Sequence, residues 1–224
     1  MSTPPTTPPN RPAAATNPAT NSANNSAGWR IQSLRAGDIA TQFGPLATLR
    51  LAVFREWPYL YDGSVDEERE YLAPYIGSAG GLALLAWAGD TVVGASTALP
   101  LAHAHAEFQA PFHAAGEPVE SILYFGESVV LPEWRGRGLG RAFFAAREAH
   151  ARRLGLGECV FCAVDRAADD PRRPADHAGN ARFWAHRGYQ QDPGRVCRFE
   201  WTDLGDGAPS HKTLTFWRRR LPPA

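Results

Sequence analysis

Several residue types and patterns that mark other protein classes are scarce in this sequence. Its 224 residues include three cysteines, and this low, odd count argues against a disulfide framework and favours a reducing compartment. No apolar run approaches the roughly eighteen residues of a membrane-spanning helix. The opening MSTPPTTPPN lacks the apolar core of a secretory signal. These absences predict a cytoplasmic protein.

An excess of charge of either sign is also lacking. Lysine and arginine total 23, aspartate and glutamate total 23, and the formal net charge is zero. A balanced chain carries no global signal for nucleic acid or an anionic membrane, so we expect neither as a partner. The basic run at residues 218–220 is interpreted as the solvated end of an edge strand. Monomer and homodimer both stay open.

Composition divides the chain in two. Residues 1–28 are rich in Pro, Thr, Asn, Ala and Ser, and Arg11 is their only charged side chain. Such a segment buries too little apolar surface to offset its ordering entropy, so we predict a disordered tail. Residues 29–224 alternate strand and helix patterns and are predicted to form a single α/β domain.

The predicted element order is β-α-α-β-β-β-α-β-α-β-β. Asp38 is the predicted N-cap of the first helix, and Ser64 with Glu67 forms an S-x-x-E capping box for the second. Gly89-Asp90 predicts a hairpin between two strands. Strands are predicted at 29–34, 82–88, 91–99, 122–131, 158–164, 195–201 and 212–219, and helices at 38–53, 64–76, 138–154 and 178–187, with room for one short helix in 101–120.

One turn carries the functional argument. A strand ending at Leu131 runs into a loop with three alternating glycines, Gly136, Gly138 and Gly140, and a long helix follows. Glycines leave the backbone bare and able to adopt positive φ, and the first N–H groups of a helix have no internal partners. With the helix dipole, this arrangement is suited to an anion such as a pyrophosphate.

The spacing around these glycines selects among the known phosphate-binding loops. G-x-x-x-x-G-K-[ST] is absent, and the dinucleotide fingerprint fails because its third glycine would stand at Arg141. The spacing present is R-x-x-G-x-G from Arg135 to Gly140, preceded by Val130 and Pro132. It resembles the acyl-CoA loop of the GNAT superfamily of N-acetyltransferases. The resemblance covers about residues 29–220.

The resemblance implies a fold, a co-substrate and a reaction. The fold is a mixed, mostly antiparallel sheet flanked by helices, with a splayed central strand pair. Acetyl-CoA would be the co-substrate, its pantetheine arm pairing with the open strand like an added strand. The acetyl group would pass directly to an amine of a small molecule or protein. The implied cofactor-binding residues are Ser128, Val129, Val130, Arg135, Gly136, Arg137, Gly138, Leu139, Gly140 and Arg141.

Direct attack requires a base that deprotonates the amine. Glu127, near the end of the central strand, is the first candidate, and Glu120 and Tyr124 are reserves. A backbone N–H near Val129 or Val130 would hold the developing oxyanion. The alternative interpretation of Glu127 is a strand residue paired with an arginine.

The late helix matches the family only in part. Phe183, Gly188 and Tyr189 fit its pattern, but Trp184 stands where a tyrosine often serves as general acid. An indole N–H does not titrate usefully as an acid. Tyr124, Tyr189 or water could protonate the thiolate, or no acid is needed. This departure keeps open a second hypothesis, a catalytically inactive acyl-CoA-binding regulatory module.

The acceptor pocket is predicted in an aromatic loop after the first helix, together with residues 101–120. Tyr59, Tyr61 and Asp62 offer aromatic walls and one anion, which suits a cationic amine. The alternative is a plain turn at Asp62-Gly63.

Two other patterns are interpreted as structural. Cys159 and Cys162 form a C-x-x-C inside a strand, where residues three apart face opposite sides, so a redox pair is not expected. Three histidines in residues 103–113, with Glu107, lack a second ligand cluster of standard spacing, and no metal is expected.

Overall fold

The computed structural model describes residues 28–222, and within them seven strands form one sheet. The predicted tail lies outside the described residues except for Gly28. The strands are β1 (Arg30–Arg35), β2 (Leu82–Ala88), β3 (Thr91–Pro100), β4 (Ile122–Val130), β5 (Glu158–Val164), β6 (Gln190–Trp201) and β7 (Ser210–Arg220). The helices are α1 (Gly37–Ala40), α2 (Phe43–Phe54), α3 (Val65–Gly77), α4 (Ala106–Ala114), α5 (Leu139–Arg153) and α6 (Ala181–His186).

The sheet is mixed and mostly antiparallel, as predicted. Its strand order is β1-β2-β3-β4-β5-β7-β6, and β4 with β5 is the parallel pair. One face packs against α1 to α4 around Leu46, Leu72 and Phe112. The other face packs against α5 and α6, through residues such as Phe143 and Phe144. Each face of the sheet is therefore covered by helices.

The central strand pair splays, also as predicted. β4 and β5 are in register only from Ile122 opposite Glu158 to Tyr124 opposite Val160, although β4 continues to Val130. A bulge lies at the same place on the other edge of β4, because Phe125 is opposite Ala98 while Ser128 is opposite Ser96. Residues 126 and 127 thus face one residue of β3, and such bulges bend a strand and re-aim its side chains.

Two local predictions are confirmed and one is wrong. The capping box at Ser64 and Glu67 and the hairpin between β2 and β3 both form. The single helix expected from Asp38 is instead broken into α1 and α2, and Asp38 is inside α1 rather than its N-cap. Pro45 explains the break, because it has no N–H to give to the preceding turn and is tolerated only near a helix start.

The long helix α5 buries apolar residues in its first turns, whereas the apolar residue just after its end is partly exposed. Leu139 and Phe143 are buried, but Leu154 follows the helix and is 39% exposed. Arg147 is buried in the same helix. Within residues 28–222, no helix combines the length and hydropathy needed to cross a bilayer.

Candidate active site

The glycine-rich loop adopts the backbone conformations that its glycines allow. Gly136 has φ of +75° and Gly138 has φ of +87°, in the left-handed region that L-residues avoid. Gly138 is the N-cap of α5 and provides no side-chain cap. Gly140 serves a different need, because a Cβ there would lie 3.3 Å from the Phe183 ring. The three glycines therefore shape a bare helix N-terminus.

The backbone N–H groups of this loop are free of hydrogen bonds to the described part of the protein. Within the described part of the chain, the backbone N–H groups of residues 136–141 donate to no recorded acceptor, and the helical ladder begins with Ala142 N–H to Gly138 O at 3.1 Å. Trp29 Nε1 donates to the Arg137 carbonyl at 3.2 Å and holds the loop against the end of β1. Free amides at a helix N-terminus form an anion site.

Two of the three loop arginines, Arg135 and Arg137, are held by protein groups, whereas Arg141 Nη2 lies 3.6 Å from the position that a Cβ on Gly138 would take. Arg135 contacts Glu56 at 2.6 Å and donates from Nε to the Val130 carbonyl at 3.1 Å. The Arg137 guanidinium lies 4.6 Å from the centre of the Trp134 ring. Neither contact points an arginine at the loop amides, so a role on phosphate would require these side chains to turn.

Beyond Tyr124, one edge of β4 is open and faces the gap between β4 and β5. The backbone N–H groups of every second residue point into this gap. Leu131 N–H donates to Val93 O at 3.0 Å, which turns Leu131 towards β3. Because strand residues alternate, the amide of Val129 also faces β3, and those of Ser128 and Val130 face the gap. The Ser128 hydroxyl accepts a hydrogen bond from Arg147 at 2.8 Å.

A cavity of about 340 Å³ opens on the face covered by α2, α3 and α4. It reaches the point where β4 and β5 separate, since Tyr124 and Cys162 contribute to its lining. The predicted Tyr59 and Tyr61 line it. Asp62 does not, and its exposed carboxylate pairs with Arg55 at 2.7 Å. The full lining is Arg50, Phe54, Tyr59, Tyr61, Glu67, Glu68, Glu70, Tyr71, His105, Glu107, Phe108, Tyr124, Gly126, Cys162, Phe199, Glu200, Trp201 and Leu214.

The loop bearing the cavity tyrosines is anchored to the far strands. Arg166 donates to the carbonyls of Pro58 and Tyr59 and pairs with buried Asp203 at 2.7 Å. Trp201 Nε1 also donates to the Tyr59 carbonyl, at 3.0 Å. Burial raises the pKa of Asp203, but hydrogen bonds from Arg166 and other cations outweigh it and hold that pKa below its usual range. The wall of the cavity is thus pre-positioned.

At the floor of the cavity lies a buried ionic trio of Arg50, Glu68 and Glu127, of which Arg50 and Glu68 contribute to the lining. Arg50 Nη1 is 2.5 Å from a Glu127 oxygen, and Arg50 Nε donates to Glu68. The side chains are 5%, 1% and 2% exposed, so the charges are shielded from water. Burial lowers the pKa of Arg50, but the two carboxylates outweigh this and raise it above its ordinary value. Glu127 is therefore paired with an arginine, as the alternative interpretation expected.

The Glu127 carboxylate is incompletely satisfied. Within residues 28–222, neither of its oxygens accepts a hydrogen bond of good geometry. Burial raises its pKa, and the charge of Arg50 offsets this only in part. Its neighbours Arg50 and Gly126 line the cavity while Glu127 lies just behind them. A carboxylate with a raised pKa beside a cavity is suited to accept a proton.

The sequence itself matches a known protein family. The sequence model of the acetyltransferase (GNAT) family matches residues 49–175, more than half of the chain. The chain belongs to the GNAT family. No curated protein matches it in sequence.

Solved structures share the GNAT fold at low sequence identity. Ribosomal-protein-alanine N-acetyltransferase from Brucella melitensis is 14% identical, with a TM-score of 0.56 over 85% of this chain and 99% of that one. The yncA protein from Salmonella typhimurium, solved with its cofactor acetyl-CoA, is 16% identical, with a TM-score of 0.51 over 88% and 96%. A polyamine N-acetyltransferase from Drosophila melanogaster is 17% identical, with a TM-score of 0.54 over 85% and 100%.

The other candidate catalytic residues of this GNAT chain occupy different environments. Tyr124 is buried on the cavity floor with its hydroxyl 3.4 Å from Cys162 Sγ, and burial raises its pKa well above the ordinary value. Glu120 is exposed just before β4. Tyr189 lies on the α5 face, where its hydroxyl donates to Glu148 at 3.3 Å. Tyr124 is the one of these that reaches the cavity.

Trp184 is a packing residue in this GNAT fold. Its ring lies 5.0 Å from that of Phe161 and 5.1 Å from that of Trp217, within the cluster on the α5 face. The indole therefore packs between α6 and the sheet.

Sequence reasoning missed Arg50 and Glu68, although the pattern contained a signal. Glu68 stands four residues before Leu72 and seven before Tyr75, on the buried face of α3. Arg50 is next to buried Leu49 in α2. A charge at a core position of a helix requires a buried partner or a function, and that rule would have singled out both.

The two patterns interpreted as structural are placed as follows. Cys159 belongs to the cluster on the α5 face and Cys162 to the opposite cluster, so the alternation predicted for the C-x-x-C is confirmed. His103 bonds to Ser78 Oγ at 2.7 Å and His105 to the Tyr71 carbonyl at 3.0 Å. In residues 28–222, no three His, Cys, Asp or Glu side chains converge as a metal site.

Proposed function

We propose that this protein is an N-acetyltransferase that moves the acetyl group of acetyl-CoA directly to an amine. The observation that carries the proposal is the free amides of residues 136–141 beside a strand gap whose base opens into the cavity. The loop amides would bind the pyrophosphate of CoA, and the open edge of β4 would pair with its pantetheine arm. The acceptor would enter from the cavity side.

The chemistry divides between two strand residues. An alkyl ammonium has a pKa of about 10 and must lose a proton before its nitrogen can attack. Glu127 would take that proton through a water molecule, since Arg50 and Gly126 stand between it and the cavity. The nitrogen then forms a bond to the thioester carbon, and the Val130 N–H, which faces the gap, would hold the oxyanion. Val129 is less suited because its amide faces β3.

Collapse of this intermediate breaks the carbon–sulfur bond and releases a thiolate, and the nitrogen, which became positively charged on attack, loses its second proton to solvent. Tyr124 would give that thiolate its proton because of its position on the cavity floor where β4 and β5 separate, although burial raises its pKa and so makes it a weaker acid. The phenolate would then recover a proton from solvent. Tyr189 and Trp184 lie on the other face of the sheet and are not needed.

Thiol release from acetyl-CoA over a panel of amines tests the proposal. Turnover with at least one amine, with acetylation of that amine confirmed by mass, is expected. If the protein binds CoA but turns over no amine, it is a CoA-binding regulatory module instead. The Drosophila enzyme is a polyamine N-acetyltransferase, but at this identity it supports the fold alone.

Replacing Glu127 by glutamine should lower kcat by about a hundredfold while leaving CoA affinity intact. In the wild type, kcat/KM should fall as pH drops through the raised pKa of Glu127, because a protonated carboxyl cannot accept a proton. The variant should lose this acidic limb. Profiles of kcat/KM against pH and CoA titrations measure both effects.

Glu120→Gln is the comparison, because it makes the same change in the reserve candidate that is exposed before β4. A greater loss of kcat in Glu120→Gln than in Glu127→Gln would move the base to Glu120. An acidic limb that persists in Glu127→Gln would also contradict the assignment.

A further inference from the structure

The mouth of the cavity is acidic. Glu70, Glu107 and Glu200 are exposed and line it from α3, α4 and β6. Within the described chain, none of the three carboxylates makes a recorded hydrogen bond or ion pair. Glu67 is a fourth, and one of its oxygens is held by Ser64 in the capping box. Carboxylates brought together without cations repel one another, so this mouth favours a positively charged occupant.

The basic groups of the lining do not balance these carboxylates. Arg50 is already paired with Glu68 and Glu127 beneath the floor, and His105 Nε2 bonds to the Tyr71 carbonyl. Among the lining residues these are the only two with basic side chains. The carboxylates at the mouth therefore have no cationic partner among the lining residues and can pair with a positively charged ligand.

The floor supplies a second observation that points to a ligand. Arg50 lines the cavity, and its Nη1 lies 2.5 Å from one oxygen of Glu127, so these two atoms are each other's partners. The other Glu127 oxygen, Oε1, is buried and accepts no recorded hydrogen bond within residues 28–222. Buried polar atoms without hydrogen bonds are rare, and a water molecule that enters with a polar ligand would satisfy this one.

The walls between floor and mouth are aromatic. Tyr59, Tyr61, Tyr71, Phe108 and Trp201 contribute to them. Such walls suit an aliphatic chain and also stabilise cations that lie over their faces. The volume of about 340 Å³ falls at the lower end of small-molecule pockets, about 300–1,000 Å³, so a small acceptor fits better than a protein surface.

Acetyl transfer to a ligand with two amines requires one amine to be neutral while the other can stay protonated. The attacking nitrogen must be neutral, so the mouth carboxylates cannot serve it during the reaction. Resting on the proposed acetyl transfer, we propose that the acceptor is a small aliphatic diamine or polyamine. One amine reacts at the floor near Tyr124, and a second, protonated amine is held by Glu70, Glu107 and Glu200.

The test compares putrescine with the amino alcohol of the same chain length, in which a hydroxyl replaces one ammonium. kcat/KM should favour putrescine by at least about tenfold at low salt, since each carboxylate near an ammonium is worth up to about fivefold. The triple variant Glu70→Gln, Glu107→Gln, Glu200→Gln should remove most of this preference, and added salt should weaken it in the wild type. Asp90→Asn, in the exposed β2–β3 turn, is the control for the loss of one surface carboxylate outside the cavity.

The outcomes separate the two proposals. Equal kcat/KM for both substrates, or a preference that survives in the triple variant, overturns the diamine assignment while acetyl transfer stands. A lysine-containing peptide that outperforms putrescine overturns it in favour of a protein acceptor. If no amine is acetylated, the proposal of acetyl transfer fails. The diamine site is then tested by calorimetry, which compares the binding of putrescine and of the amino alcohol to the CoA complex of the wild type and of the triple variant.

Discussion

Gly138→Asp is expected to abolish measurable CoA binding. The new carboxylate would stand at the N-cap of α5 against the bound pyrophosphate, and like charges at about 4 Å cost roughly 4 kcal/mol near a protein surface, about a thousandfold in Kd. The φ of +87° adds backbone strain for any side chain. Isothermal titration with CoA measures the loss, and thermal unfolding checks that the variant is folded.

Two variants separate charge from strain at this position. Gly138→Asn has nearly the same shape as the aspartate and tolerates positive φ, so it should lose much less affinity. Gly205→Asp places the same residue at the same φ of +87° in open space between β6 and β7. It should bind CoA normally. Unchanged affinity in Gly138→Asp would contradict the assignment of the loop.

Arg50→Ala is expected to be the most destabilising single substitution beneath the cavity. It leaves Glu68 and Glu127 buried without their counter-charge, and breaking a buried pair in this way costs about 3–5 kcal/mol. Urea unfolding of the variant and wild type gives the difference in the free energy of unfolding. Arg55→Ala, at the exposed pair with Asp62, should change it by about 1 kcal/mol or less.

The destabilisation should depend on pH in a defined direction. Burial already raises the pKa of Glu127, and loss of Arg50 removes the charge that opposes this. A group with a raised pKa in the folded state contributes stability below its unfolded pKa and loses it as pH rises through the folded one. The variant should therefore be least stable at alkaline pH and recover as the solution is acidified.

A neutral replacement of the trio distinguishes charge from packing. Arg50→Met combined with Glu68→Gln and Glu127→Gln removes every unpaired charge and should regain most of the lost stability. It should not regain turnover, because the proposed base is gone. If Arg50→Ala unfolds as readily as Arg55→Ala, the trio does not contribute to stability as its burial suggests.

The sequence predicted local structure correctly where the deciding residues are close together along the chain. The capping box at Ser64, the β2–β3 hairpin and the glycine loop before α5 depend on residues within a few positions of one another. Backbone sterics and unsatisfied helix amides act at that range, so their patterns are legible in a sequence. The break in the helix that follows Asp38 also has a local cause, because Pro45 interrupts the helical pattern.

The sequence alone is enough to identify the family and to predict the anion-binding loop, since three alternating glycines before a helix leave its first amides bare. What surrounds the cavity depends on the tertiary structure. Arg50 meets Glu68 and Glu127 because the bulge in β4 and the packing of α2 on α3 bring them together, and Glu200 joins Glu70 only when β6 is in the sheet. Desolvation and charge act through space, so no spacing along the chain could have predicted these groups.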